Sequence, residues 1–351
     1  MLSNADIAEL LARQAERKSG IRSRACRRAA RSAFLWPENV TELAAQNRPL
    51  TGLRGVGPFI ERRILHWLDK TPRIRKSVPA IRQDFISLAE ARRLLAIKRG
   101  WSKNLRGDLQ MHTRWSDGSG TIAQMAHAAK ERSYEYIAIT DHSKGLRIAG
   151  GIDEQALTKQ GAEIAKLNAL ISESGGNLIV LRSIEMNLNQ RGDGDMSSKS
   201  LSSLDLILGS FHSSLRRVED QTERYLAALR NPNIQILAHP RGRIYNYRVG
   251  LKADWPRVLA EAAALDKALE VDCYPDRQDL NVRLLKLARK HGTRVSLGTD
   301  AHHPWQLEFI EFGLAATLLA KIPADRIINF MPIADLKCWA QRIRGRGTGK
   351  Q

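Results

Sequence analysis

Residues 136–142, with the sequence YIAITDH, pass from a short apolar run to an abrupt polar end at Thr140, Asp141 and His142. A short run of aromatic and β-branched residues that stops at polar residues is typical of a buried strand. Six more apolar runs predict strands at residues 105–112, 178–185, 204–212, 234–239, 269–272 and 294–300.

Stretches with helical spacing of apolar residues separate these strands, at residues 122–132, 154–172, 219–230, 255–265 and 281–291. Strands that alternate with helices favour a parallel sheet, and such a sheet can close into a barrel. We therefore predict the α/β fold class, with a seven-stranded distorted (β/α) barrel that follows a small all-helical domain.

Polar side chains that can bind metal collect at the ends of the predicted strands. The carboxyl ends of parallel barrel strands converge on one face, so these side chains should come together. Any one of the histidines would ordinarily be a structural hydrogen-bonding residue, but nearly every strand ends in one. Imidazole and carboxylate groups are ligands of Zn²⁺, and also of Mn²⁺ and Fe²⁺. The candidate ligands are Gln110, His112, Asp117, His142, Glu185, His212, His239, Asp300 and His302.

Three arginines follow strand ends at the same predicted face, namely Arg241, Arg243 and Arg277. Arginine suits bidentate contacts to phosphate, which makes these residues candidates for phosphate binding. Ordinary solvent-exposed loop arginines remain an equal alternative for each one.

Positive charge is concentrated near the N-terminus. The 351 residues include 56 Lys or Arg and 37 Asp or Glu, for a formal net charge of +19. Residues 1–104 hold 22 basic and 9 acidic residues, so +13 of this charge lies in less than a third of the chain. Such a balance favours nucleic acid, an anionic membrane surface or phosphorylated substrates as partners.

A glycine-rich turn in this basic region precedes a helical pattern at residues 59–68. Two glycines separated by one apolar residue permit a tight turn whose backbone N–H groups face outward at a helix N-terminus, which suits a phosphate. A plain helical hairpin is the alternative. We favour contacts with the DNA backbone and predict that they involve Arg54, Gly55, Gly57, Arg62 and Arg63.

The composition argues against a membrane protein, a disulfide-rich protein and a secreted protein. Mean hydropathy is −0.36, and no apolar run approaches the ~18 residues that a membrane span needs. The three cysteines are too few and too scattered for a disulfide framework, which favours a reducing compartment. The first residues carry acidic side chains, so we expect no signal peptide and a cytoplasmic, nucleoid-associated location.

The strand-end residues are similar to those of the PHP (polymerase and histidinol phosphatase) domain over about residues 105–330. That resemblance implies a barrel that holds a cluster of two or three divalent ions. The family opens with His-x-His, and Gln110 stands where its first histidine belongs. Because an amide offers only a neutral oxygen, the ion at that position should bind weakly or take water in its place.

The resemblance also divides the ligands and implies catalytic roles for His112, Glu185 and Asp300. The first ion would be shared by Gln110, His112, Glu185 and Asp300, the second by Glu185, His212 and His239, and the third by Asp117, His142 and His302.

Residues 4–68 resemble the small N-terminal DNA-binding domain of family X DNA polymerases, and Gly55-Val56-Gly57 resembles its helix-hairpin-helix motif. Some members carry a lyase lysine after this turn. Arg63 stands at that position, and its guanidinium stays protonated and cannot form a Schiff base. Fewer than forty residues separate Leu68 from Leu105, which is too few for a polymerase palm, so we expect no nucleotidyl transfer.

These patterns predict a helical DNA-binding domain with a helix-hairpin-helix at 1–75, a linker at 76–104, a PHP phosphoesterase domain at 105–335 and a basic tail at 336–351. The predicted function is metal-dependent phosphoester hydrolysis on DNA, as a 3′–5′ exonuclease or a 3′-end phosphatase in repair. A small-molecule phosphatase of the histidinol-phosphate type is one alternative. A DNA-binding protein with a decayed metal site is the other. The sequence indicates no protein partner.

Overall fold

The computed structural model describes residues 1–72 and 78–348. Its contacts divide the chain into two units. The helical unit comprises Met1–Arg99 and Ile244–Val249, and the barrel unit comprises Gly100–Arg243 and Gly250–Gln351.

Five α-helices form most of the helical unit. The first begins with a capping box, in which the Ser3 hydroxyl accepts from Asp6 N while the Asp6 carboxylate accepts from Ser3 N. Small residues such as Ala29 and Ala30 allow α1 and α2 to pack closely around Ile7 and Leu11. The helices are α1 (Asn4–Glu16), α2 (Gly20–Ser32), α3 (Val40–Ala45), α4 (Pro58–Asp69) and α5 (Leu88–Ile97).

Much of the predicted linker at 76–104 is folded into the helical unit. Residues 80–82 form a 3₁₀ turn, and α5 follows it. The Arg82 side chain is buried, with Nε 2.7 Å from Glu9 Oε2 and Nη1 2.6 Å from Glu16 Oε1. The sequence predicts a linker at 76–104 because this stretch is basic and contains proline. It does not show that two carboxylates of α1 pair with Arg82. Residues 76 and 77 of that prediction lie outside the described residues.

A short segment from the second half of the chain completes the helical unit. Tyr245 is 1% exposed, and its ring lies 4.8 Å from that of Phe34 and 5.3 Å from that of Phe85, measured between centroids. Asn246 N donates to the Ile81 carbonyl at 2.9 Å. Cutting the chain at residue 99 would therefore remove the packing partners of residues 244–249, so functional tests need the full chain.

Seven parallel strands form the barrel unit, in the sheet order β1 to β7, which confirms the predicted α/β fold class. The strands are β1 (Gly107–Asp108), β2 (Tyr136–Ile139), β3 (Ile179–Asn187), β4 (Leu206–Ser210), β5 (Ile236–Leu237), β6 (Ala268–Asp272) and β7 (Arg294–Gly298). The helices are α6 (Ile122–Glu131), α7 (Glu154–Glu173), α8 (Ser198–Leu201), α9 (Thr222–Arg230), α10 (Trp255–Ala264), α11 (Val282–His291), α12 (Ile310–Ala320) and α13 (Ile333–Thr348).

The chain segments that continue β1 and β7 lie side by side, which brings the last strand back to the first. Met111 and Ala301 form a parallel bridge, and Leu109 N donates to the Leu297 carbonyl at 3.3 Å. The predicted closure into a barrel therefore follows from the backbone pairing of β1 with β7.

Residues 336–343 belong to a helix rather than to an unstructured basic tail. Leu336, Trp339 and Ile343 of α13 are each at most 3% exposed and join the core of the barrel unit. Trp339 Nε1 donates to the Asp266 carbonyl at 2.9 Å. The helical spacing of these apolar residues was the available signal, and the basic residues between them obscured it. Within residues 1–72 and 78–348, no helix is long and apolar enough to cross a membrane.

Lys267, just before β6, is a buried lysine. Its side chain is 4% exposed, and its Nζ lies 2.5 Å from the Asn231 carbonyl oxygen. Burial lowers the pKa of Lys267 to about 7, because desolvation disfavours the ammonium form.

Lys267 should therefore contribute a rise in the free energy of unfolding with pH between about 7 and 10, because the unfolded chain binds a proton there that the folded chain does not. One such group contributes a slope of up to about 1.4 kcal/mol per pH unit. Urea unfolding at several pH values should give Lys267→Met a slope of unfolding free energy against pH that is lower than the wild-type slope by up to this amount, because the other titrating groups are the same in both proteins. Lys286→Met, on the exposed side of α11, should keep the wild-type slope. Equal slopes for the wild type and Lys267→Met would contradict the prediction.

Candidate metal centre

Backbone hydrogen bonds that continue past the strand ends bring the predicted ligands together. His112 N donates to the Ala301 carbonyl at 2.7 Å, and Asp300 N donates to the Gln110 carbonyl at 3.1 Å. His142 pairs with Glu185 in a parallel bridge. The neighbouring positions of these side chains are therefore set by the barrel itself.

Glu185, from β3, lies at the centre of the cluster and is fully buried. Its Oε1 is 2.6 Å from His239 Nε2 and 3.2 Å from His212 Nε2. Its Oε2 is 3.1 Å from His142 Nδ1 and 3.4 Å from His112 Nε2. One carboxylate thus faces four imidazoles that come from four different strand ends.

Asp117 and His302 extend the cluster toward solvent. Asp117 Oδ1 is 3.3 Å from His302 Nε2 and 3.6 Å from His142 Nε2. The His112 ring stacks on those of His142 and His302, with centroids 4.3 and 4.4 Å apart. Eight of the nine predicted ligands therefore lie within one network of short nitrogen–oxygen distances.

The donor set fits divalent metal ions. Both ring nitrogens of His112 and Nδ1 of His142 are buried and make no well-aligned hydrogen bond, although carboxylate oxygens lie 3.0–3.4 Å from His112 Nε2 and His142 Nδ1. Imidazoles that face one another cannot all donate protons. Two groups have ligand atoms within 4.8 Å of one another: His112, Asp117, His142 and His302 in one, and His142, Glu185 and His212 in the other. Nitrogen and carboxylate ligands at such spacing suit Zn²⁺, Mn²⁺ or Fe²⁺.

The charges of the cluster shift one another's pKa values. Burial would raise the pKa of Glu185, but the surrounding histidines, His142 first, hold it well below its usual range. Burial would lower the pKa of His239, but the charge of Glu185 raises it to about 10. Burial and repulsion from neighbouring imidazoles lower the pKa of His112. Protons and metal ions therefore compete for these nitrogen atoms.

Gln110 lies in the cluster but is held by a carboxylate beneath it. With the amide oriented to match its neighbours, its nitrogen donates to both oxygens of Glu270, at 2.7 Å for Oε2. Glu270 Oε2 also accepts from His239 N at 2.7 Å. A β-carbon at position 298 would lie 2.7 Å from Gln110 Cβ, so Gly298 permits this close packing.

Sequence reasoning missed two buried acids that position the ligands. Glu270 is one, and its alternation with Asp272 along an apolar strand was the signal that both face the barrel interior. Asp141 is the other: it accepts from Thr113 N at 2.7 Å, from Ser116 Oγ at 2.5 Å and from Gln160 Nε2 at 2.7 Å. It thereby orders the loop that carries Asp117.

The three predicted phosphate-binding arginines lie in different surroundings. Arg277 forms an ion pair with Asp300, and its Nη1 is 3.7 Å from Asp272 Oδ2. Burial opposes ionisation of Asp300, but the charge of Arg277 holds its pKa well below the usual range. Arg241 and Arg243 are 8% and 4% exposed, so they are buried rather than displayed on the surface.

The predicted DNA-contacting turn lies in the helical unit. Gly55 has a φ of +79°, and a β-carbon there would lie 2.9 Å from Ser32 Oγ, so glycine is needed. Gly57 precedes α4 without a side-chain cap, and Pro58 is the first residue of the helix. Arg54 and Arg62 are exposed. Arg63 is half-buried, its Nη2 3.3 Å from Gln14 Oε1.

Comparison with known proteins agrees with this geometry. The sequence profile of the PHP domain matches residues 108–293, which include β1 to the end of α11. This chain belongs to the PHP-domain family. Membership confirms the predicted resemblance and the predicted class, a metal-dependent phosphoesterase of the PHP type.

Two curated proteins are similar to this chain in sequence. DNA polymerase/3′-5′ exonuclease PolX of Bacillus subtilis is 33% identical over 239 residues, which cover 68% of this chain and 41% of the relative. The probable phosphatase YcdX of Escherichia coli is 28% identical over 237 residues, which cover 64% of this chain and 90% of the relative. The chain thus spans less than half of the polymerase and most of the phosphatase.

A solved structure is also similar. It is the histidinol phosphate phosphatase of Lactococcus lactis in complex with zinc, L-histidinol and phosphate, at 14% identity and a TM-score of 0.40. The match covers 69% of this chain and 94% of that one.

Removing the central carboxylate should disrupt metal binding. Glu185→Gln keeps the shape but removes the charge that four imidazoles face, so metal affinity should fall by at least ~10–100-fold. Elemental analysis after dialysis against dilute Mn²⁺ or Zn²⁺ measures this loss, with circular dichroism to verify folding. Glu173→Gln, on the exposed end of α7, is the matched control. A folded Glu185→Gln protein that retains its full metal content would rule out a central role for Glu185.

Proposed function

We propose that this PHP-family protein hydrolyses phosphoester bonds at the 3′ end of DNA, as a 3′–5′ exonuclease or a 3′-end phosphatase. The observation that carries the DNA assignment is the exposed glycine turn before α4, flanked by Arg54 and Arg62. The barrel unit supplies the ligand cluster for hydrolysis, and the helical unit supplies the contacts with the strand.

Charge and local geometry support the role of the helical unit. The start of α4 has no side-chain cap, so its first N–H groups and the helix dipole favour an anion such as a DNA phosphate. Helix α2 adds further basic side chains, all exposed, at Arg22, Arg24, Arg27, Arg28 and Arg31. Phosphate contacts of this kind hold a strand without reading its sequence.

The ligand cluster supports hydrolysis in the barrel unit. The residues that would hold ions are His112, Asp117, His142, Glu185, His212, His239, Asp300 and His302. Bound divalent ions would polarise phosphoryl oxygens and activate water for attack. His112 Nε2, 3.0 Å from Asp300 Oδ1, and Arg277 hold the Asp300 carboxylate in one orientation. The Arg277 side chain is 32% exposed, so it can also donate to a phosphate bound at the cluster.

The named activity of one relative points in the same direction. The Bacillus subtilis protein is named as a polymerase and a 3′-5′ exonuclease, and its match covers 68% of this chain. We propose that this chain has hydrolytic activity on DNA and none of nucleotidyl transfer. With Arg63 at the lyase position, we propose no lyase activity either.

A phosphatase acting on a small metabolite is the second candidate. It is favoured by the Escherichia coli relative, a probable phosphatase of which the match covers 90%. The charge distribution favours DNA over a small metabolite. This chain carries +13 of its net charge in residues 1–104, and hydrolysis of a small metabolite in the barrel would not require that basic region.

A direct comparison of substrates tests the proposal. The full-length protein loaded with Mn²⁺ is incubated with a 3′-labelled single-stranded oligonucleotide, the same oligonucleotide with a 3′-phosphate, and histidinol phosphate. We expect release of 3′ nucleotides or of 3′-phosphate at a rate that exceeds histidinol phosphate hydrolysis by at least about tenfold. Asp300→Asn should abolish either activity. Hydrolysis of histidinol phosphate alone would refute the DNA assignment.

Substitution of the exposed arginines at the glycine turn should separate binding from chemistry. Arg54→Ala with Arg62→Ala should weaken DNA binding and reduce the slope of log affinity against log salt by roughly 1 to 2, because about one counterion is released per phosphate contact. Hydrolysis of bis(p-nitrophenyl) phosphate should be unchanged, since that substrate has no strand to hold.

Fluorescence anisotropy at several salt concentrations measures the slope. The matched control is Arg283→Ala with Arg289→Ala, two exposed arginines on α11 of the barrel unit. If the control pair lowers DNA affinity as much as the turn pair, the turn is not the contact.

A further inference from the structure

The site of the expected first ion differs from the other two in its contacts. Of its ligands, Asp300 has Oδ1 3.0 Å from His112 Nε2, and its Oδ2 is paired with a permanent cation, the Arg277 guanidinium. The two groups of closely spaced histidine and carboxylate ligand atoms among the described residues do not include Asp300.

We infer that this chain binds two divalent ions, and that the guanidinium of Arg277 supplies at Asp300 the positive charge that a third ion would bring. This inference rests on the proposed phosphoesterase function and specifies its metal content. The ions would occupy the groups around Glu185 and around Asp117.

Two carboxylates hold the Arg277 side chain within the site. Its guanidinium lies between two buried carboxylates, Asp300 at 2% and Asp272 at 0% exposed. The oxygen of Asp272 that faces it, Oδ2, is buried and has no hydrogen-bond partner. Because a guanidinium does not deprotonate, this charge is present at every working pH.

A divalent ion next to Asp300 would share one carboxylate with that fixed cation. Two positive centres on the two oxygens of a single carboxylate repel each other strongly in a buried, water-poor site. Glu185 and Asp117 have no arginine or lysine within ion-pair distance in the described contacts, where their partners are histidines.

Gln110 reinforces the same preference. Its nitrogen is held by Glu270, so only a neutral oxygen remains for an ion, in place of an imidazole nitrogen. The weakest donor and the nearest fixed cation therefore occur at the same position. Replacing Gln110 by histidine and removing the Arg277 charge in the same protein should therefore allow a third ion to bind.

Metal stoichiometry tests this without a substrate. Full-length protein stripped with EDTA is reconstituted with excess Zn²⁺ or Mn²⁺, freed of unbound ion by gel filtration and measured by elemental analysis. We expect two ions per chain for the wild type and for Gln110→His alone, and three for Gln110→His with Arg277→Met. The control pair Gln155→His with Arg283→Met, both exposed on helices α7 and α11, should stay at two.

Three ions per wild-type chain would overturn the inference, as would a folded double variant that stays at two. If the double variant does not fold, calorimetric titration of the stripped wild type decides: two sites support the inference and three refute it. The same preparations are assayed on the 3′-labelled oligonucleotide. Two bound ions without hydrolysis would reject the proposed function and keep the ion count, and three ions with hydrolysis would do the reverse.

Discussion

The arrangement of the barrel unit depends on one requirement, that four imidazoles converge on a single buried carboxylate. The nitrogens facing Glu185 come from the ends of β1, β2, β4 and β5. Such a group is costly to bury unless a cation is shared among its members. The parallel barrel meets this requirement because its strand ends deliver one ligand each to the same point. Moving any of these strands by one residue would turn its ligand away from Glu185.

The sequence predicts the strands and the ligands because both follow short-range rules. An apolar run that ends in a histidine or acid is visible without knowledge of contacts, so His112, His142 and Asp300 were found. Glu270, Asp141 and the burial of Arg241 depend on which side chains meet across the barrel, and no local pattern specifies that. The role of Arg277 was predicted only as a phosphate contact, because its two carboxylate partners lie on different strands.

The helical unit shows the same limit in another form. The helix after the glycine turn was predicted from its apolar spacing, and the turn from its composition. Arg82 was counted in the basic excess of residues 1–104, although Glu9 and Glu16 bury it in an ion pair. A total of charged residues does not locate a domain boundary, because a buried ion pair adds to the count without adding charge to the surface. The same reasoning applies to α13, whose apolar stripe was outweighed by its arginines.

Asp141 has a further consequence for how the metal centre forms. By accepting hydrogen bonds from Thr113, Ser116 and Gln160, it fixes the loop around Asp117 while the chain folds. The conformational entropy of that loop is therefore lost during folding and not when an ion arrives. Binding of an ion would then be a local exchange of water and protons for metal on a loop that is already ordered.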